Sequence, residues 1–296
     1  MAVSLLLSAC ASPAATTQAA IPQTGAPIRV GSKNFTEEFI LGEMYAQMLE
    51  NAGFKVERKL NLGATPVAQQ ALVSNQLDLY PEYTGTGLLT VLKLPTNSDS
   101  QAVYNTVKDG YLKQFNLVWL DQSPMNDTEA LAMTQAGSQK FGIKTFSDLA
   151  AKADQIVMVG PPEFQEREDG LPGLKKAYGG FNVKQFKAVD PGLRYQALTS
   201  GQADVVVAFS TDGQISADHL VLLQDDKHVY PPYHVAPVVR KQALDANPKI
   251  ADVLNSLAPK ITDDVMSQLN EQVDAGKKEP KDVAHAFLVQ QGLIKQ

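Results

Sequence analysis

Cysteine is almost absent from this chain of 296 residues, which contains one, and tryptophan also occurs once. A single cysteine cannot form a disulfide within the chain, which excludes the small disulfide-held folds. Long apolar runs are absent as well: beyond the N-terminus none approaches the ~20 residues that a helix needs to cross a bilayer. We therefore expect the body of the chain to fold outside the membrane around an apolar core.

Charge of either sign is neither abundant nor clustered. Lys and Arg number 26 against 32 Asp and Glu, a net charge of −6, and 44% of the residues are hydrophobic. Dispersed basic residues give no electrostatic footprint for nucleic acid, so we expect no nucleic-acid partner. The length fits two domains with substantial cores, because a typical domain has about 100 to 150 residues.

Catalytic patterns are missing too. The sequence has no Gly-x-Ser-x-Gly nucleophile elbow, no phosphate-binding loop and no cysteine–histidine pair. Three of the four histidines, His219, His228 and His285, stand among charged or helical residues without a partner at metal-ligand spacing. The run Gly85-Thr86-Gly87 lacks the lysine of a phosphate loop and favours a turn that exposes donors to a ligand. The pattern predicts a binding protein rather than an enzyme, without metal or cofactor.

The single cysteine stands where a lipoprotein signal would have it. Cys10 follows Leu7-Ser8-Ala9 and the apolar run Ala2 to Leu7, and this ending resembles the lipobox of bacterial lipoproteins, whose cysteine carries the lipid anchor. Residues 11–27, rich in Ala, Thr, Pro and Gln, are typical of a flexible tether. The alternative is an apolar start without meaning, because the run is short and no Lys or Arg precedes it.

An internal repeat is the most informative feature of the sequence. Residues 71–78 (ALVSNQLD) and 197–204 (ALTSGQAD) share nearly the same order of residue types. Five positions beyond each final Asp stands an aromatic residue, Tyr83 or Phe209, followed by a hydroxyl residue. Such repetition predicts two similar lobes. The alternative is coincidence, since helix-to-strand corners in α/β proteins favour Ser, Gly and Asp anyway.

Strand and helix patterns alternate along the chain, which predicts an α/β fold whose apolar strands are parallel and covered on both faces. The apolar spacing predicts a helix with one buried face over residues 35–52, with Asn34 as its N-cap. A loop is predicted at residues 81–87, and a helix at residues 163–178 after a pair of prolines.

The order of these elements also predicts how the lobes are built. The first lobe is discontinuous and consists of residues 28–125 plus 233–296, whereas the second consists of residues 126–232. The chain therefore crosses between the lobes twice, and the two crossing segments are predicted to act as a hinge.

Six motifs in a fixed order resemble the substrate-binding proteins of osmoprotectant ATP-binding cassette (ABC) importers. The likeness extends from residue 28 to the C-terminus and is carried by these segments: Gly31–Glu37, Asp78–Thr86, Asn126–Thr128, Pro162–Gly170, Ser210–Gly213 and Pro231–Tyr233. The resemblance implies a two-lobed type II periplasmic-binding-protein fold. It also implies a ligand such as glycine betaine, carnitine or choline, and delivery of that ligand to the transmembrane subunits of an ABC permease.

The resemblance also implies a site in two halves. An aromatic cage for the trimethylammonium group maps onto Tyr83, Glu129, Phe209 and Tyr233. A clamp for the ligand's carboxylate maps onto Lys33, Thr86 and Arg167, and supporting positions onto Asn34, Asp127, Thr128 and His234. Aromatic faces suit a quaternary ammonium group because it has no N–H donor to satisfy and is easily desolvated.

This sequence departs from the family pattern at two cage positions. Phe209 keeps the ring but lacks the phenol, and Glu129 stands where the family places an aromatic residue. A buried carboxylate is costly unless paired, and it favours a ligand with N–H donors or additional positive charge. The alternatives are that Glu129 turns to solvent, or that it pairs with Lys or Arg and leaves betaine binding unchanged.

The resulting prediction is an extracytoplasmic, lipid-anchored, monomeric receptor for a quaternary ammonium osmolyte of the glycine betaine type. One rival keeps the fold but binds another cation, such as an amino acid, choline or a diamine, with Glu129 as counter-charge. Another is an enzyme on a similar fold, and a third is a sensory or delivery domain of a fused transporter.

Overall fold

The computed structural model describes residues 25–295, so Cys10 and most of the predicted tether lie outside the described residues. The strands are β1 Ile28–Gly31, β2 Val56–Lys59, β3 Leu79–Tyr83, β4 Leu117–Trp119, β5 Glu129–Met133, β6 Val157–Gly160, β7 Gln185–Ala188, β8 Val205–Phe209, β9 Val221–Leu222 and β10 Val235–Arg240. The helices are α1 Thr36–Asn51, α2 Thr65–Val73, α3 Thr84–Thr86, α4 Ser100–Phe115, α5 Gln135–Phe141, α6 Phe146–Lys152, α7 Leu171–Tyr178, α8 Arg194–Thr199, α9 Gly213–Ala217, α10 Lys241–Ala246, α11 Lys249–Asn255, α12 Asp263–Asp274 and α13 Pro280–Gln290.

These strands form two five-stranded sheets of the same design. The first has the order β2-β1-β3-β10-β4 and the second β7-β6-β8-β5-β9. In each sheet the first three strands run parallel, and the fourth is antiparallel to both of its neighbours. The α/β prediction is confirmed, and the parallel pairing expected of the apolar strands is found among three strands of each sheet, whereas β10 and β5 run antiparallel because they enter their sheets from the opposite direction.

The repeated sequence has a structural counterpart in both sheets. Asp78 accepts a hydrogen bond from the backbone N–H of Arg29 on β1, and Asp204 accepts one from Val157 on β6, both at 2.9 Å. The backbone N–H groups of the two aspartates donate in return to the carbonyls of the same strand residues. Each repeat therefore fixes the start of a central strand, and Tyr83 and Phe209 stand at the ends of those strands.

Two segments connect the sheets, one between β4 and β5 and one between β9 and β10. They are hydrogen-bonded to one another: the Asp127 N–H donates to the Tyr233 carbonyl at 3.1 Å, and the Tyr233 N–H donates to Asn126 Oδ1 at 2.6 Å. An isolated antiparallel bridge pairs Asn126 with His234. The lobe boundaries at residues 125 and 233 stay a prediction.

Three local predictions were wrong. Helix α1 begins at Thr36 with Phe35 rather than Asn34 at the N-cap, and Phe35 makes no side-chain cap. Residues 81–83 belong to strand β3 rather than to a loop. The expected helix at residues 163–178 is interrupted, since a 3-10 turn at Pro162–Gln165 is followed by a loop and then by α7. Glycine at 170, where an added Cβ would lie 2.1 Å from the Phe164 carbonyl oxygen, permits that tight loop.

Helix α1 is buried on nearly all sides instead of on one face. Its polar residues Glu37, Glu38, Glu43 and Gln47 are buried together with its apolar ones. The reason is that α1 packs on the first sheet and is covered from outside by the C-terminal helices α11, α12 and α13. The buried carboxylates at its first turn thus enter the space between the sheets.

Each sheet has an apolar core on both faces. In the second lobe an aromatic cluster surrounds Phe146, whose ring centroid lies 5.8 Å from that of Tyr178 and 6.2 Å from those of Phe181 and Tyr230. Among the described helices, none combines the length and apolar character needed to span a bilayer.

We expect Phe146→Ala to lower the free energy of unfolding by about 3–5 kcal/mol, because the buried ring leaves a cavity that rigid neighbours cannot fill. Urea denaturation followed by circular dichroism measures this loss. Leu193→Ala is the control, since this side chain is 54% exposed and its removal should change stability by less than about 0.5 kcal/mol. Equal losses for both variants would contradict the assignment of Phe146 to the core.

Candidate ligand-binding cleft

A stack of three aromatic rings joins the two sheets. Phe35 lies between Tyr83 and Phe209, with ring centroids 6.3 Å and 5.9 Å away and interplanar angles of 29° and 22°. Tyr83 and Phe209 end the equivalent strands β3 and β8, and Phe35 precedes α1. The two repeat aromatics therefore meet through a third ring that the site prediction did not include.

Tyr233 approaches from the second crossing segment. Its ring packs on Gly85, where an added Cβ would lie 2.6 Å from the ring carbons. Its hydroxyl donates to Asp169 Oδ2 at 2.7 Å, and the side chain is buried. Glycine at position 85 is thus required for the ring to lie flat against the turn that follows β3.

The Lys33 ammonium is buried next to the rings. It pairs with Glu82 at 2.7 Å and lies 3.5 Å from Glu38, and its Nζ is 4.5 Å from the Tyr83 ring centroid. Burial opposes the charged form of Lys33, but the two carboxylates outweigh it and raise the pKa of the lysine. Burial raises the pKa of Glu38 to about 8, although Lys33 acts in the opposite direction.

Arg167 forms the second charged group of the cleft. Its Nε and Nη2 bind Asp169 at 2.7 and 2.5 Å, and Nη2 also pairs with Glu129 Oε1 at 2.8 Å. Burial raises the pKa of Glu129 to about 8, with Arg167 opposing. Of the alternatives for Glu129, the geometry therefore matches pairing with arginine and excludes a side chain turned to solvent.

One carboxyl oxygen of Glu129 takes no part in the pairing with Arg167. Its Oε2 is buried without a hydrogen-bond partner among the described residues, and so is the hydroxyl of Tyr230. Both residues line a cavity of about 300 Å³ in the second lobe, together with Phe146, Asp225 and His228. Two residues that line the cavity thus each hold a buried polar atom without a hydrogen-bond partner among residues 25–295.

Residues 26–290 match the profile of the family described as the substrate-binding domain of the ABC-type glycine betaine transport system. The chain belongs to this family. The match covers both sheets and every residue of the ring stack, the Lys33 cluster and the Arg167 cluster.

Individual relatives agree with this membership. The chain is 37% identical over 268 residues to an ergothioneine transport permease/ergothioneine binding protein of Helicobacter pylori, covering 90% of this chain but only 48% of that protein. It therefore spans about half the length of that relative. A glycine-betaine-binding protein of Pseudomonas aeruginosa is 35% identical over 277 residues, with 90% and 88% of the two chains covered.

Solved structures confirm the fold prediction. A structure described as a glycine betaine/carnitine/choline ABC transporter superposes with a TM-score of 0.72 at 29% identity, covering 90% of this chain and 99% of the other. The protein thus has the two-lobed fold of periplasmic solute-binding proteins, and members of its family work outside the cytoplasm in transport. Substrate-binding proteins of ABC transporters are not a class of enzyme.

The remaining predicted site residues lie around the same cleft. Thr86 is buried in the turn after β3, and Asn34 lines the opening between the lobes. Thr128 donates its N–H to Ser210 at 3.0 Å, and the Nδ1 of His234 lies 2.9 Å from the Met125 carbonyl oxygen. His234 thus joins the crossing segments, and Asp127 contacts Thr211 in the second lobe.

Sequence reasoning missed three contributors to the cleft. Phe35 completes the ring stack, Glu37 hydrogen-bonds Tyr83, and the Arg194 guanidinium lies 5.3 Å from the Phe209 ring centroid while pairing with Asp212. Phe35 and Glu37 belong to the segment Gly31–Glu37 that carried the family resemblance, so that motif contained the signal. Arg194 stands outside every quoted motif and had none.

We expect Arg167→Met to lower the free energy of unfolding by about 3–5 kcal/mol near pH 8, because Glu129 and Asp169 remain buried without a counter-charge. The loss should be smaller near pH 5.5. Burial opposes ionisation of Asp169, but Arg167 holds the pKa of this carboxyl group below its ordinary value; without the arginine the buried carboxyl group takes up a proton as the pH falls, and the cost of its unpaired charge disappears. Urea denaturation at both pH values measures the difference.

Arg58→Met is the matched control, since Arg58 pairs with Glu43 and Glu50 at the partly exposed surface. It should lose about 1 kcal/mol or less at either pH. A loss in Arg167→Met no larger than that in Arg58→Met at both pH values would contradict a buried arginine that neutralises Asp169.

Proposed function

We propose that this protein captures a quaternary ammonium osmolyte of the glycine betaine type between its lobes and delivers it to an ABC permease. The observation that carries the proposal is the ring stack of Phe35, Tyr83 and Phe209, which draws one ring from each central strand and one from the loop before α1. Stacked rings at the junction of two lobes supply the aromatic surroundings that such a cation requires.

The chemistry of such a cation fits these rings. A trimethylammonium group cannot donate a hydrogen bond, so aromatic faces replace water at little cost, with about 0.5–2 kcal/mol for each favourable contact. The lysine ammonium that already lies 4.5 Å from the Tyr83 ring supports a ring environment that accepts positive charge. Tyr233 contributes a further ring on the side of the crossing segments, as the family cage requires.

The carboxylate of a betaine would bind on the side of Arg167. Asp169 and Glu129 engage Nε and Nη2 of this arginine, and among residues 25–295 no hydrogen bond involves Nη1. Two N–H groups therefore stay available for a planar carboxylate. Lys33 and Thr86 complete the clamp in the predicted site, with Lys33 shared between the ligand and Glu82.

We expect glycine betaine to bind with measurable heat in isothermal titration, and Phe35→Ala to weaken its affinity roughly tenfold, since the ring that supports both Tyr83 and Phe209 is lost. Phe186→Ala is the control. It also removes a stacked aromatic ring, since the Phe186 and Phe164 ring centroids lie 6.2 Å apart, but this pair lies in the second lobe outside the ring stack. Its affinity should equal that of the unaltered protein. Absence of binding by glycine betaine, carnitine, choline and proline betaine at millimolar concentration would refute the proposed ligand class.

A second ligand is favoured by Glu129. Ergothioneine, which the Helicobacter pylori relative is named for, is a trimethylammonium betaine that also carries an imidazole-thione ring with N–H donors. The unpartnered Oε2 of Glu129 is a buried acceptor for such a donor, and the cavity beside it has room for a ring. This observation gives the predicted preference for a ligand with N–H groups a physical basis.

Glu129→Gln separates the two ligands. We expect this variant to weaken ergothioneine binding by about 1–3 kcal/mol, because an amide nitrogen that cannot accept a hydrogen bond replaces an acceptor oxygen of a buried N–H group, while glycine betaine, which has no N–H, keeps its affinity. Titration of both ligands into both proteins measures the contrast. Equal effects on the two ligands would contradict a direct contact between Glu129 and the ring.

The proposal also covers the oligomeric state, the lipid anchor and the lobe boundaries of the protein. We propose a monomer without enzymatic activity whose Cys10 carries a lipid anchor, with lobes of residues 28–125 plus 233–296 and 126–232. The lipobox-like ending and the separate strand sets of the two sheets support this organisation. Mass spectrometry of the membrane-extracted protein would detect the lipid on Cys10.

A further inference from the structure

The contact that links the lobes beside the ring stack consists of two carboxyl groups and one hydroxyl. The Thr211 Oγ1 lies 2.6 Å from Glu37 Oε2 and 2.7 Å from Asp127 Oδ1. Glu37 belongs to α1 on the first sheet, whereas Thr211 follows β8 of the second. All three side chains are buried.

The proton count of this contact does not allow two carboxylates. A threonine hydroxyl has one hydrogen and can donate to only one acceptor. If both carboxyl groups were ionised, one of the two short O···O contacts would have no hydrogen between its oxygens. One carboxyl group must therefore be neutral and donate its own hydrogen to Thr211.

We propose that Glu37 and Asp127 share one proton through the Thr211 hydroxyl, and that Glu37 in this protonated cluster is a positioning residue that holds Tyr83 and fastens the closed lobes. The inference rests on the proposed function, since it concerns the same cleft. It adds a regulation: closing the lobes takes up a proton.

The hydrogen bonds of Glu37 connect its two roles, which are holding the Tyr83 ring and fastening the closed lobes. Glu37 Oε1 accepts from the Tyr83 hydroxyl at 2.7 Å, and Oε2 accepts from Asn270 Nδ2 at 2.9 Å. The same Asn270 nitrogen donates to the Thr211 carbonyl at 2.9 Å. A residue that orients a cage ring is thus bonded to the opposite lobe, directly and through α12.

The electrostatic surroundings favour the neutral form. The charged groups that face the pair from neighbouring elements are Glu38 in α1, Lys33 before α1, Asp212 and Arg194 in the second lobe, and Asp274 in α12. The two cations are committed elsewhere, Lys33 to Glu82 and Arg194 to Asp212. Among residues 25–295 neither Glu37 nor Asp127 forms an ion pair. Burial raises the pKa of both, and their mutual repulsion raises that of Asp127 further.

The sign of the pH dependence follows. Opening the lobes separates Glu37 from Thr211 and returns both carboxyl groups to water and to ordinary pKa values. The closed form has the higher pKa and binds the proton, so closure is favoured at low pH and weakens as the pH rises through the raised value. Ligand affinity should fall by up to tenfold for each pH unit in that range, because one proton is linked to binding.

Isothermal titration of glycine betaine in buffers of different ionisation enthalpy counts the protons taken up. We expect proton uptake, up to one proton per ligand, at pH values between the ordinary and the raised pKa of the pair, for the unaltered protein and for Thr211→Ser, which keeps the hydroxyl. Asp127→Asn should take up none, because Glu37 then stays ionised with Tyr83, Asn270 and Thr211 as donors. Asp121→Asn removes the same charge at an exposed position of the same segment and should behave like the unaltered protein.

Carbon-13 NMR of the side-chain carboxyl groups locates the proton directly. Both members of the pair should titrate in the ordinary range for Asp and Glu in the free, open protein, and one should titrate well above it in the ligand-bound, closed protein. Ordinary pKa values for both in the bound protein, or proton uptake unchanged in Asp127→Asn, would overturn the inference. If glycine betaine does not bind, the same spectra with carnitine, choline or ergothioneine keep the two tests separate, because a raised carboxyl pKa there refutes glycine betaine as the ligand and leaves the shared proton standing.

Discussion

The pairing of the two crossing segments is the constraint on which the rest of the structure depends. Asn126 and Asp127 hydrogen-bond Tyr233, and His234 reaches back to Met125. Because the two connections are hydrogen-bonded to each other, they hold the adjoining ends of the two sheets together. Tyr233, Asp127 and the ends of β3 and β8 all lie there and form the floor of the candidate cleft.

Around that floor the protein buries several charged groups, and each of the three cations is neutralised locally. Lys33 is balanced by Glu82 and Glu38, Arg167 by Asp169 and Glu129, and Arg194 by Asp212. In a site of low dielectric constant an unpaired charge costs several kcal/mol. Paired charges instead hold their side chains in fixed directions. The cleft is therefore close to neutral as a whole, which suits a zwitterionic ligand that brings one charge of each sign.

The fold was largely predictable from the sequence because its signals are local. Apolar runs gave the strands, and the repeat that ends in Asp78 and Asp204 indicated two equivalent corners before the structure showed their identical hydrogen bonds. The errors fell where tertiary contacts override local pattern. Helix α1 looked amphipathic, but later helices cover its polar face, and the fourth strand of each sheet runs antiparallel because the chain returns from the other lobe.

The sequence by itself determined the α/β class, the twofold design and the family, since residue order and spacing carry all three. Through the family resemblance it also predicted cage and clamp positions, including the carboxylate at position 129, and their roles stay a prediction. Only the tertiary structure decided which side chains meet: that Phe35 separates Tyr83 from Phe209, that Glu129 pairs with Arg167, and that Glu37 reaches Thr211 across 174 positions. Such contacts depend on how two lobes close on each other, and no local pattern in the chain encodes that distance.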